Sequence, residues 1–430
     1  MTDAQRPAAL GNPPGAPVRP RTGEARWTAR AFYPLAAVLL PVVALGPLLS
    51  PEFLGGAAEA TRSLARLQTV GSPDWSLWSG TDGPATSLAA FVLTRAGVLP
   101  TDALKAVMGL ALVASALTMY CFAADLWGRR GGLLSAVLFV YSPVRLVDLY
   151  VRGAIAESVA WLLPPLALWA GRRAMLQSRG RIAYALVAVM ALVSLPFTHL
   201  GVALLTVPVM GLFWAWLLAH LRREPRRRAD RVFGVALLLL ACLASVVSGA
   251  VVLGAAGGEA VDAAALVVFP HQLLSPRWGY GAPSPGPNDT LSLELGLAPV
   301  ALTAVAVVSA FWLTDAGRPV LRLSRRRRAT LAFFAVSALV ATLLTLPVTL
   351  PFWVAVPGAA ILQLPWRLLS VAAFGLAIGG GACGLLSFGR PVGQIALATF
   401  IGVAILAVFP YLQTPDTVFR PPTTAATAGR

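Results

Sequence analysis

Between residues 32 and 410 the chain runs through one apolar stretch after another, and dense arginine clusters fall in alternate gaps between them. The clusters lie at residues 19–30, 128–130, 172–181, 222–231 and 318–328. A bilayer-crossing helix needs ~20 apolar residues, and Lys/Arg-rich connections are retained in the cytoplasm. Few folds satisfy that alternation. It predicts an all-α polytopic bundle with a cytoplasmic N-terminus, and it leaves the arginine-poor connections of the outer face as the place for chemistry.

Composition excludes the soluble alternatives. Only 12% of residues are charged and mean hydropathy is +0.74, whereas soluble domains carry ~25% charged residues. A formal net charge of +16 could point to nucleic acid. In a membrane chain the positive-inside bias and anionic headgroups account for it, so membrane lipids are the expected partner and nucleic acid is not. Cys121, Cys242 and Cys383 lie far apart in apolar segments and form no disulfide or zinc spacing.

Residues 1–30, rich in Pro, Gly and Arg, read as a disordered basic cytoplasmic tail. Spans are expected at 32–49, 102–126, 133–146, 154–170, 182–197, 200–218, 232–253, 293–313, 330–346, 366–388 and 395–409, about eleven in all. That parity leaves a short tail, 411–430, on the outer side. Residues 31–410 then form a single membrane domain with two long outer loops, 50–101 and 254–292. The weakly apolar piece 84–98 is too short to span and reads as a re-entrant or interfacial helix. Pro164-Pro165, inside the fourth span, predicts a kink.

The expected outer-face segments carry a resemblance. Tyr141-Ser-Pro-Val-Arg-Leu-Val-Asp-Leu-Tyr-Val-Arg-Gly-Ala-Ile-Ala-Glu157 resembles a motif of a bacterial integral-membrane family labelled "6-pyruvoyl-tetrahydropterin synthase-related membrane protein". Leu273-Leu-Ser-Pro-Arg-Trp-Gly-Tyr-Gly281, Leu293-Glu-Leu-Gly-Leu297 and Leu362-Gln-Leu-Pro-Trp-Arg-Leu-Leu369 agree with it in order and spacing, covering most of residues 100–370. The label does not describe this chain's chemistry. A pterin synthase needs a soluble fold and a three-histidine zinc site. The chain has only His199, His220 and His271, and the expected topology puts His220 on the opposite side from the other two.

The family's layout looks like the GT-C fold of glycosyltransferases that use polyprenyl-phosphate sugars. The resemblance therefore implies a bacterial plasma-membrane protein, a polyprenyl-phosphate-linked sugar donor and an outer-face glycan or protein acceptor. Many enzymes of that kind use a divalent cation, Mg or Mn; no motif here specifies one. Related sequences tend to carry Asp in place of Glu59 and His in place of Ser63. This chain keeps a carboxylate and lacks the histidine, so a degenerate member acting as lipid-glycan carrier, flippase or assembly partner is the alternative.

A transferase needs a carboxylate to take or orient the acceptor proton, and arginines to hold phosphate in bidentate fashion. Glu59, Arg62, Ser63 and Arg66 fall on one face if their segment is helical, with Glu59 the candidate base. The bland reading of that face is an exposed ion pair. Asp74 and Asp82 flank Trp75 and Trp78, where they suit a cation or sugar with Trp78 stacked on the ring. Turn-forming Asp and interfacial Trp would look the same.

Arg145, Asp148, Arg152 and Glu157 are two bases and two acids at the mouth of the third and fourth spans. A charge at mid-bilayer costs ~2.5–3.5 kcal/mol, so Glu157 requires a partner, with Arg152 and Arg145 nearest in sequence. The quartet suits a lipid-phosphate grip, and equally a structural ion-pair cluster. His199, at a tight hairpin, is an acid, base or ligand candidate or else a hydrogen-bonded cap. His271 and Arg277 occupy the second long loop, which could close over a substrate. Gln363 and Arg367 suit a phosphate or sugar, although Pro365-Trp366-Arg367 is also what a helix entering a membrane needs.

Overall fold

The computed structural model of the chain describes residues 24–49, 58–69, 82–177, 179–221, 228–255, 262–275, 286–288, 291–315, 318–360, 362, 365–386 and 390–412. Among them the chain is helical, apart from a two-residue antiparallel pair, Thr314–Asp315 with Arg318–Pro319, and a bridge between Asp82 and His199. Six helices are long and apolar enough to cross a membrane: Ala31–Leu49, Pro100–Val140, Arg181–Thr198, Leu200–Ala219, Arg325–Leu344 and Leu368–Leu385. The shorter apolar helices Val232–Ser248, Leu297–Phe311 and Val392–Leu406 pack against them. The weakly apolar piece expected at 84–98, within the first long loop, is a helix over Pro84–Arg95.

Pro100–Val140 is two arms rather than one rod. The chain reverses at Gly128 (φ +79°), so that Gly132 packs on Ala124 and on the Tyr120 carbonyl. The reversal falls on the Gly128-Arg129-Arg130 turn expected between the second and third spans. The spans expected at 133–146 and 154–170 are not continuous, however. The helix stops at Val140 and is followed by Pro143–Leu146, a π turn at Val147–Val151, Ile155–Ala160 and then Leu163–Leu176.

Four residues explain the interruption. Pro143 cannot donate to the helix before it. Gly153 takes φ +62°, a left-handed conformation that turns the chain. Pro164 and Pro165 stand in the first turn of Leu163–Leu176, where a missing N–H costs nothing, so they start a helix instead of kinking one. Irregular backbone between membrane-crossing helices is tolerated where protein buries it. Residues 141–158 are indeed buried in the bundle.

Two tyrosines anchor the broken segment. Pro41 and Pro47 interrupt the first span, whose second half, Leu40–Leu49, is a 3-10 helix. Its Leu40 and Ala44 carbonyls accept from the hydroxyls of Tyr141 (2.6 Å) and Tyr150. The bundle is centred on Leu368–Gly381, in which every residue is buried. Lipid is as apolar as leucine, so packing and interhelical hydrogen bonds hold such a helix. Trp127 Nε1 donates to the Ile378 carbonyl and Thr303 Oγ1 to the Leu376 carbonyl, each at 2.8 Å. The Phe374 ring meets Phe139 and Trp161 at 5.7 and 6.1 Å between centroids. Arg367 stands at the N-terminal end of this helix, at the end of the bundle away from Gly128.

Candidate functional site

Six of the charged or polar residues singled out in the sequence converge on one buried cluster: Arg145, Asp148, Arg152, Glu157, His199 and Arg367. The π turn is what brings the first members together. Its wider winding puts Asp148 and Arg152 on the same face, and Arg152 Nη1 lies 2.6 Å from Asp148 Oδ1. The turn at Gly153 then folds Ile155–Ala160 back, so that the same Nη1 reaches Glu157 Oε2 at 2.8 Å. The guanidinium of Arg152 is stacked 4.6 Å over Trp366. Glu157 therefore has the partner that its place in an apolar segment demanded.

Long-range partners complete the arrangement. Arg367 brings Nη2 to 3.7 Å from Glu157 Oε2 and Nη1 to 3.4 Å from His199 Nε2. His199 stands at the break between Arg181–Thr198 and Leu200–Leu221, and its Nδ1 accepts the Val202 N–H at 3.0 Å. It thus caps the following helix, one of the two readings the sequence left open, and at the same time faces the cluster. With Nδ1 accepting, a neutral ring carries its proton on Nε2, which lies 3.5 Å from Asp82 Oδ1 and 4.0 Å from Glu157 Oε2. Asp82 is held there by the bridge to His199 and by the Gly83 N–H to Thr198 carbonyl bond of 3.0 Å.

Arg145 has a different environment from the one expected. It pairs with neither neighbouring acid by hydrogen bond; its Nη2 lies 3.3 Å from Ser115 Oγ and its guanidinium carbon 4.5 Å from the Phe139 ring centroid. Its Nη1 and the Oδ2 of Asp148 have no hydrogen-bond partner among the described residues, although both are buried. Such atoms are uncommon, since an unmade buried bond costs ~1–3 kcal/mol.

The electrostatics follow from burial. Arg145, Arg152 and Arg367 are at most 7% exposed, and Asp148 and Glu157 are each 1% exposed. Three cations therefore face two anions in the sealed part of the cluster. Asp82, whose side chain is 34% exposed, supplies the third carboxylate at the rim. Burial and the nearby Glu157 charge hold the Asp148 carboxyl above the usual carboxylate range, with Arg152 acting against them.

The remaining expected site residues are placed only in part. Glu59 and Arg62 lie on the helix Ala58–Thr69, which meets the condition on which their shared face depended, while their side chains fall outside the described residues. The backbone of that helix reaches the cluster, because a Cβ at Gly153 would stand 2.8 Å from the Ala60 Cβ. Asp74, Trp78, Arg277 and Gln363 lie outside the described residues. Ser115 and Trp366 are contacts of the arginines that no local pattern announces. Asp82 was grouped in the sequence with Asp74, whereas its observed partner is the distant His199.

Among the described residues no three His, Cys, Asp or Glu side chains group as metal ligands. The arginines around Glu157 would also oppose a cation there. The described residues thus assemble no donor set for the cation that the resemblance implies, while Asp74 and the Glu59 side chain lie outside them. No family model and no curated protein matches the chain.

Proposed function

We propose that the chain is a multi-pass membrane protein that binds a polyprenyl-phosphate-linked sugar in the Arg145–Arg152–Arg367 cluster and transfers the sugar to an outer-face acceptor. In this reading about eleven spans are arranged as in GT-C enzymes, with the N-terminus cytoplasmic, the C-terminus extracytoplasmic and the bacterial plasma membrane as location. The observation that carries it is the buried Arg145, whose Nη1 has an unmade hydrogen bond inside a cluster holding three guanidiniums. A phosphate oxygen is the partner such a group favours most. Glu59 is the proposed base, and the contact between Gly153 and Ala60 supports its helix as a wall of the same site.

A specific observation favours a second reading. Both buried carboxylates face arginines, and Arg152 bonds to the two of them. A binder that holds lipid phosphate without chemistry, as carrier, flippase or assembly partner, needs nothing more. The test is sugar transfer by the purified chain in lipid nanodiscs, supplied with radiolabelled polyprenyl-phosphate sugars and membrane acceptors. Transfer that disappears in Glu59→Gln supports the transferase. Binding without transfer, weakened by Arg145→Gln and indifferent to Glu59→Gln, selects the carrier. If the chain neither binds nor transfers any of these lipids, both readings fall.

A further inference from the structure

At the other end of the bundle, beside Gly128, a second charged site has no role in the reading above. A cavity of about 150 Å³ lies between the ends of four helices and is lined by Asp125, Arg172, Ser324, Arg326, Arg327 and Thr330, with Trp216 on one wall. That is the volume of about five water molecules at ~30 Å³ each, enough for a phosphate group and not for a nucleotide.

Three arginines and one carboxylate are found among the described residues that line it. Asp125 gives both oxygens to Arg173, at 2.8 and 2.9 Å, and Arg172 stands farther off at 3.5 Å. Arg172, Arg326 and Arg327 thus bring three guanidiniums to a lining whose one described carboxylate is already engaged. Burial, together with Arg326, Arg173 and Arg327, pushes the Arg172 guanidinium below its usual range, against the pull of Asp125. The helix Arg325–Leu344 opens with four consecutive arginines and no acid in its first turn. The helix dipole already puts positive charge at that end, so the sequence is wrong for the helix alone and suits an anion seated on it.

An apolar groove begins where the cavity ends. It has a volume of about 540 Å³, shares Trp216 with the cavity, and runs between Leu205, Val209, Phe333 and Val336 as far as Leu344. From Ala329 to Leu344 it follows fifteen residues of helix, ~22 Å at 1.5 Å per residue, longer than the ~15 Å of one leaflet.

We propose that this cavity and groove form a binding site for an anionic phospholipid, with the headgroup phosphate among Arg172, Arg326 and Arg327 and one acyl chain along the groove. Arginine-lined pockets between membrane helices have the chemistry for such headgroups, and the continuous groove favours a lipid over free phosphate. The site is independent of the transferase and carrier readings, which concern the opposite end of the bundle.

The test is native mass spectrometry of the full chain released from nanodiscs of equal phosphatidylglycerol and phosphatidylcholine. Wild type should retain phosphatidylglycerol preferentially, and Arg326→Gln/Arg327→Gln should lower that preference about tenfold or more. Arg129→Gln/Arg130→Gln, on the nearby turn but off the cavity, should change it less than twofold. Ala332→Trp, which fills the groove, should also reduce retention, and it carries the test if the double variant does not fold. Equal losses in both arginine pairs would mean diffuse surface charge and overturn the site. Displacement of the lipid by inorganic phosphate, with Ala332→Trp having no effect, would make it a free-phosphate site and overturn the lipid assignment.

Discussion

Glu157 offers the most direct way to test whether the cluster is an interlocked charge network. Its carboxylate is 1% exposed, accepts from Arg152 at 2.8 Å and lies 3.7 Å from Arg367. Glu157→Gln keeps the shape and one acceptor oxygen while removing the charge. Arg152 and Arg367 would then share the buried interior with Asp148 as the one remaining sealed carboxylate. Breaking a buried pair by neutralising one partner costs ~3–5 kcal/mol, because a charge is left uncompensated away from water. The cost should shrink when a cation is removed as well. In Glu157→Gln/Arg367→Gln the two losses should sum to ~1–3 kcal/mol more than the double variant shows. Reversible unfolding of the four proteins in mixed micelles provides the cycle. A Glu157→Gln protein within ~0.5 kcal/mol of wild type, or a cycle without coupling, would refute the reasoning: Glu157 would then not be the counter-charge that holds these arginines.

Gly153→Ala would put a methyl group 2.8 Å from the Ala60 Cβ in a left-handed backbone conformation that costs ~1–2 kcal/mol. Thermal unfolding should register that loss, and transfer or lipid binding should fall further than stability does if Ala58–Thr69 is a wall of the site. Because the Asp148 carboxyl is held above its usual range in the fold, the folded state keeps its proton where the unfolded chain releases it. Stability should therefore decline as pH rises from the ordinary carboxylate range to the raised one, then level off, and Asp148→Asn should flatten that decline in a thermal-shift series. Protonation also removes one negative charge from the cluster, so binding of a phosphodiester lipid should tighten at the acid end of the same series. Trp366→Leu should cost ~0.5–2 kcal/mol through the lost stacking with Arg152, measured in the same micelle unfolding assay.

The sequence disclosed the helical membrane class because apolar length and arginine placement are one-dimensional signals. It also disclosed Glu157's need for a partner, since a carboxylate in an apolar run has only cations to turn to. The breaks at Pro143 and Gly153 were visible as residues and not as architecture. An apolar segment with one proline can kink, stop or continue, and the packing around it decides. Long-range contacts were less legible still. Nothing local ties Asp82 to His199 or Arg367 to Glu157, and these approaches arise only when three separate helix ends meet. Pro164 and Pro165 misled because proline within a helix and proline at its start read alike until the boundary is known.

The two ends of the bundle differ in a way that bears on function. In the Glu157 cluster both sealed carboxylates face arginines and Asp82 stands at the rim beside His199, so a ligand phosphate entering there must displace a carboxylate from an arginine or use Arg145. Such exchange is costly in a sealed site, where a displaced carboxylate has no water to turn to. Asp82, at the rim, can swing to solvent at less cost, and doing so would take one negative charge away from a bound phosphate. Among the described residues lining the cavity beside Gly128, the one carboxylate is Asp125, and Arg173 already holds it, so it need not move. Under the two proposals, the first site would exchange its anion at a cost, and the second would hold one without displacing a carboxylate. Asp82→Asn separates these expectations, since it should tighten phosphate-lipid binding at the Glu157 cluster and leave phospholipid retention beside Gly128 unchanged.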